Sequence, residues 1–204
     1  MNRYAYYESM KALARASRRE HGLEGPRVTR TDLRRVYRSC GITLDLRNGF
    51  KNLRGAYFYD KCGATAVIAK ELPEDPRVFT MAHELKHHLA DRERPGFQCN
   101  IENVGTDLIE IGAEVFAAEL LFPEDEFARM LKSMGVGPGN CTAEHLVRLK
   151  HTTRTTLSYQ GLAKRAEFLH LSGPGEFKGV QFKKIEEQIF GKPFRRPRKT
   201  PRCQ

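Results

Sequence analysis

The segment FTMAHELKHHLAD constrains this chain more than any other stretch, because its residues make joint sense only on a helix. His83, Glu84 and His87 form the pattern HExxH. At about 100° per residue, the two histidines stand roughly 40° apart and one turn from each other. Two imidazoles can therefore converge on one cation while Glu84 flanks them. The same wheel places Val78, Met81, Leu85 and Leu89 on the opposite side, so the helix carries a core face and a chemical face together. His88 fits neither face and is expected at the surface.

Composition narrows the setting. A chain of 204 residues with 40% hydrophobic content can bury one substantial core, with room for a small satellite. The formal charge of +10 is uneven: residues 1–40 hold 10 basic and 4 acidic side chains, and residues 192–204 hold 6 basic and none acidic. Basic ends of this kind suit a solvated surface or contact with nucleic acid. Five cysteines, at positions 40, 62, 99, 141 and 203, form no CxxC pair and make a poor disulfide framework. With no signal-like or membrane-length apolar run, a soluble, cytoplasmic protein with reduced thiols and no membrane partner is expected.

The elements follow from local pattern. Tyr4 to Glu20 has helical composition with a basic face, and a second helix is expected from a cap at Thr29 or Thr31 to a stop at Gly41. ITLDL alternates, and GAYFYD and ATAVIA flank the turn DKCG as a hairpin, so three short strands precede the metal helix. Asp75-Pro76 should open that helix, and DRERPGFQCN should be a loop. From a cap at Thr106, DLIEIGAEVFAAELLF is apolar nearly all round and should be a buried helix ending at Pro123. PEDEFARMLKSMG reads as a short helix. TAEHLVRLK and TRTTLSYQGLAKRAEF outline a helix-turn-helix-like pair, KGVQFKKIEEQIF a last helix, and the proline-rich tail a disordered end. The expected divisions are an N-terminal basic segment (1–40), a core (41–135), a helical region (136–190) and the tail (191–204).

A catalytic zinc ion takes three protein donors and keeps one position for water, so HExxH needs a third ligand. Glu93 is available if the helix stops at Ala90, but the turn that would bring it back normally needs glycine. Glu110, in the buried helix, accounts at once for the missing donor and for an acid that is otherwise costly to bury. Glu114 shares its face and is the reserve, whereas Glu119 lies about 180° from Glu110 and is expected to reach solvent. Cys99 is read as a small hydrophobe rather than a ligand. Tyr159 and His145 are chemically able to stabilise an oxyanion, but no spacing selects either.

HELKHH, followed by Glu110 and the run IGAEVFAAELLFP, resembles the ImmA/IrrE family of zinc metallopeptidases, whose pattern is HExxH, then ExxAN, then FAAxLLxP. The likeness is strongest from Arg77 to Pro123 and looser from about Gly55 to Phe168. It does not cover the first 40 residues or the tail. It implies an α+β, zincin-like, gluzincin-type metallopeptidase fold with a small three-stranded sheet beside the HExxH helix and a helical region after it. It further implies one zinc ion on His83, His87 and Glu110, with Glu84 as catalytic acid/base. Glu114 stands where the family usually has asparagine, and could act from beside the ligands or compete for the metal. Lys86 stands where glycine is usual, and is expected to be solvated or to touch substrate. The expected reaction is peptide hydrolysis, with Glu84 moving a proton from water to the leaving amine. The resemblance points to a helix-turn-helix repressor as the protein substrate. The rival reading is a regulator on an inactive zincin scaffold that binds DNA or a partner through its basic ends.

Overall fold

The three-stranded sheet owes its order to a single hairpin and one crossover. In this computed structural model, which describes residues 2–50, 53–92 and 108–192, strands β1 (Ile42–Arg47), β2 (Gly55–Asp60) and β3 (Gly63–Ala69) lie in the order β1-β3-β2. β2 and β3 pair antiparallel across the expected Lys61-Cys62 turn, with Asp60 opposite Gly63. β1 runs parallel to β3, with Ile42 opposite Ala64. β2 is thus an edge strand. Its first half (Gly55 to Tyr57), beside α3, is buried and its second half (Phe58 to Asp60) is exposed, and among the described residues it pairs with β3 alone.

Eight helices accompany the sheet among the described residues. Helix α1 (Arg3–Glu20) is capped by the Asn2 side chain, and α2 (Arg30–Ser39) by a reciprocal Thr29–Asp32 box. The motif lies on α3 (Glu74–Ala90), followed by α4 (Leu108–Leu121) and α5 (Glu124–Ser133). The paired helices are α6 (Ala143–Thr153) and α7 (Tyr159–Phe168), and α8 is Phe182–Phe190. The mixed α+β class, the small sheet beside the motif helix and the following helical region are as expected.

Several local expectations fail for identifiable reasons. α3 starts at Glu74, so Asp75 is inside the first turn and caps nothing; its carboxylate instead accepts from Lys150 Nζ at 2.8 Å. Pro76 still sits where no intrahelical N–H is required. α7 begins only at Tyr159, because Ser158 caps it and the preceding threonines form the turn, where Arg154 adopts a left-handed backbone.

Packing divides into two apolar clusters. The first joins α1, α2, the sheet, α3 and α4, with Val78, Met81 and Leu85 fully buried and Leu89 packed against them. The second runs from Phe122 through α5, α6 and α7 to Phe182. Phe79 packs against both. α1 lies along α4, where Tyr6 occupies space that any side chain at Gly112 would fill: a Cβ there would come within 2.5 Å of the ring.

Candidate metal centre

His83 and His87 leave α3 toward α4 because the core face of the same helix fixes its rotation. Their Nε2 atoms are 3.2 Å apart. Glu110, in the first turn of α4, closes the set, with Oε2 3.1 Å from His83 Nε2 and Oε1 3.6 Å from His87 Nε2. The three donor atoms lie within 4.8 Å of one another. Two imidazole nitrogens and one carboxylate oxygen are a donor set suited to a catalytic divalent ion with one position left open. The His83 side chain is 16% exposed and that of His87 is 0%, so the cluster opens to solvent on the His83 side.

Glu110 would be raised by burial, but hydrogen bonds from His83 and His87 outweigh that effect and hold it well below the usual carboxylate range. The acid of the motif behaves oppositely. Glu84 is 2% exposed, and burial raises its pKa, partly countered by the two histidines. Its Oε2 has no hydrogen-bond partner among the described residues, a costly state that fits a carboxylate kept for proton transfer. Its other oxygen faces Gly55 at the start of β2, where a Cβ would lie 2.7 Å from Glu84 Oε1 and 2.5 Å from Thr80 Cγ2. The edge strand therefore passes directly beside this acid.

Two residues that the helical wheel assigns no role stand behind the cluster. Asp91 Oδ2 accepts from His87 Nδ1 at 2.8 Å and from Lys86 Nζ at 2.6 Å. An ionised Asp91 can only accept, so the proton sits on Nδ1 and the His87 Nε2 lone pair faces the cluster. Burial works to raise Asp91, but hydrogen bonds from His87 and Lys86 prevail and lower it. Lys86, expected in solvent or against substrate, is 0% exposed. Its ammonium also donates to the Ile109 carbonyl at 3.0 Å, and stands 5.9 Å from the Tyr6 ring centre. It thereby links α3 to the residue preceding Glu110. The only sequence signal for Asp91 was its position four residues after His87.

Other expectations are corrected. His88 is not at the surface: it is 5% exposed and shares a 2.9 Å hydrogen bond with the hydroxyl of Tyr57 on β2. Glu119 does not reach solvent. It is 0% exposed, paired with Arg15 Nε at 2.7 Å and with Arg165 at 3.5 Å, and it accepts from the Glu124 backbone N–H. Glu114 stands apart from the cluster on an exposed part of α4, 3.8 Å from Lys164. His145 caps its own helix with Thr142, and Tyr159 stacks on Phe182. Glu93, Cys99, Thr106 and the basic tail lie outside the described residues.

No helix among the described residues is long and apolar enough to cross a membrane. None of the curated proteins matches the chain. The family model for the peptidase M78, IrrE N-terminal-like domain matches residues 44–164, from β1 into α7, which is more than half of the sequence and spans every residue of the cluster. The chain belongs to the IrrE N-terminal-like family of metallopeptidases.

Proposed function

We propose that this protein is a zinc-dependent endopeptidase, with His83, His87 and Glu110 as metal ligands and Glu84 as the acid/base. The observation that carries this reading is the convergence of three donor atoms within 4.8 Å beside a buried carboxylate whose Oε2 lacks a partner. Zinc, when bound, would supply the Lewis acidity that makes water nucleophilic near neutral pH. Glu84 takes the proton from that water and returns it to the leaving amine. Its raised pKa suits both halves of the transfer, since a base poised nearer neutrality also gives its proton back readily. Asp91 keeps His87 in the one tautomer able to offer Nε2.

The substrate peptide lies along the edge of β2 that pairs with no other strand among the described residues, adding a strand whose backbone is held by main-chain hydrogen bonds. Because Gly55 touches Glu84, such a strand passes its carbonyl groups close to the acid. The resemblance to the ImmA/IrrE pattern points to a helix-turn-helix transcriptional repressor as the protein cleaved, which would relieve repression. The test is Glu84→Gln protein with its zinc content verified by metal analysis, incubated with a repressor encoded beside it. Loss of cleavage with zinc retained is expected. Undiminished cleavage would exclude Glu84 as the proton carrier, and a native protein that holds no zinc would exclude the metal reading.

A further inference from the structure

Both helix faces that carry the cluster continue, away from Asp91, into one groove. On α3, Phe79 precedes His83 by four residues, on the same face and about 6 Å along the axis. On α4, Glu114 and Ala118 follow Glu110 at the same spacing, with Ile111 and Val115 beside them. These side chains line a groove of about 430 Å³, closed on its far side by Leu157 and by Lys164 and Phe168 of α7. The groove lies over the seam of the two apolar clusters: Val115 packs against the first, Ala118 against the second and Phe79 against both. A seam between packing units is where ligand sites of about 300–1,000 Å³ are commonly built. None of the three donors lines the groove itself, which begins one turn beyond them; a cavity of about 540 Å³ between α1 and α5 is larger, but it is lined by Arg15, Arg18 and Arg129 and includes no residue of α3 or α4.

Charge at the groove is partly committed within the fold. Lys11 is tied to Glu124 at 2.6 Å, Arg165 to Glu119, and Asp75 to Lys150. Lys164 is 78% exposed and holds Glu114 only at 3.8 Å. Arg54, exposed at the entry to β2, has no carboxylate partner among the described residues. The surface thus offers an apolar floor with an available cation at the strand side.

We propose that this groove is the specificity pocket of the peptidase, taking a large apolar side chain next to the scissile bond of a peptide that carries an acidic residue toward Arg54. The assignment rests on the metallopeptidase reading above. Its substrate class is an extended peptide with leucine, methionine or phenylalanine at that position, with Ile111, Val115 and Phe79 as the contacts that select it. Small or basic residues there leave the floor uncovered or place charge against it.

The test uses zinc-loaded full-length protein and three succinyl hydroxamates that differ only beside the chelating group: hydrogen, isobutyl or benzyl. Calorimetry measures each affinity. The isobutyl and benzyl compounds should bind on the order of tenfold or more tighter than the hydrogen compound, the gain expected from burying one such side chain. That ratio should fall toward one in Ile111→Asp, which makes the floor polar, and in Ala118→Met, which fills the groove. Both positions are partly exposed, and circular dichroism checks that both variants fold. An aspartate extension should be preferred to a lysine extension by native protein, and the order should reverse in Arg54→Glu. Equal affinity for the three compounds, or a ratio unchanged in both groove variants, overturns the proposal while leaving the metal centre intact. Failure of all three to bind a protein that holds no zinc overturns the metal reading and this proposal with it.

Discussion

Gly55 is the residue on which the geometry of the acid depends most directly. It has no room for a side chain, since a Cβ would meet Glu84 Oε1 at 2.7 Å and Thr80 Cγ2 at 2.5 Å. Gly55→Ala should therefore displace the carboxylate while leaving the three donors in place. Zinc content close to native with a fall in kcat of at least tenfold is the expected result, because about 1.4 kcal/mol of lost transition-state stabilisation suffices. Native kcat in that variant would show that the acid is not held against the strand. Behind the cluster, Asp91→Asn should lower zinc affinity by about 10–100-fold, measured by competition with a chelator, because the hydrogen bond that orients His87 loses its charge. Lys86→Met should destabilise the fold by about 3–5 kcal/mol in urea unfolding, since it leaves the Asp91 carboxylate buried without its cation. How far these placements were legible depended on where the partner lies. His83, Glu84 and His87 follow from spacing on one helix, and Glu110 follows from the difficulty of burying an acid unpaired. Lys86, His88 and Glu119 did not follow, because their partners (the Ile109 carbonyl, Tyr57, Arg15 and Arg165) come from other elements. A helical wheel assigns a charged residue to solvent by default. Only tertiary packing can overrule it.

Among the elements, those with strong local punctuation were legible and those without it were displaced. The hairpin of β2 and β3 was readable because DKCG supplies the turn between two β-rich runs, and α2 because a threonine cap and Gly41 bracket it; that the cap is Thr29, in a reciprocal box with Asp32, is settled by the structure. α7 begins later than composition suggests because the threonines before it bond to backbone groups: Thr156 to the Val28 carbonyl, and Thr155 to the Leu157 N–H. The box on α2 carries a measurable consequence. Thr29→Ala should cost about 1 kcal/mol, read from the denaturation midpoint. Burial tends to raise Asp32, but hydrogen bonds from the Thr29 hydroxyl and backbone N–H lower its pKa overall. A carboxyl that is lowered on folding stabilises the native state above its unfolded pKa, and that contribution is lost as pH falls through the folded value. Asp32→Asn should therefore be less stable than native protein at neutral pH, with the gap closing below about pH 4. A gap independent of pH would mean that the box acts without the charge.

At the scale of the molecule, polar ties join the two apolar clusters, and Glu119 makes one of them. It sits on α4 and pairs with Arg15 of α1 within the first cluster and with Arg165 of α7 in the second. Arg165 also donates to the Phe122 carbonyl, where the second cluster begins. Glu119→Gln keeps the shape but leaves the buried Arg165 guanidinium without its counter-charge, which should cost on the order of 3–5 kcal/mol. Three thiols at different depths can report where that cost falls. Cys62 is exposed in the hairpin turn, Cys40 is partly buried against the first cluster, and Cys141 is fully buried in the second. Burial pushes the Cys141 thiol up to about 11, so the closed native state offers a reagent very little thiolate at pH 8. Of these three, Cys62 should be labelled first by iodoacetamide in native protein, Cys40 more slowly, and Cys141 only through opening of its cluster. If the clusters open separately, Glu119→Gln should speed labelling of Cys141 far more than that of Cys40, as peptide mapping by mass spectrometry would show. Equal acceleration at both would instead mean that the ion network joins the clusters into one cooperative unit, so that the groove between them cannot widen for a substrate without unfolding the whole.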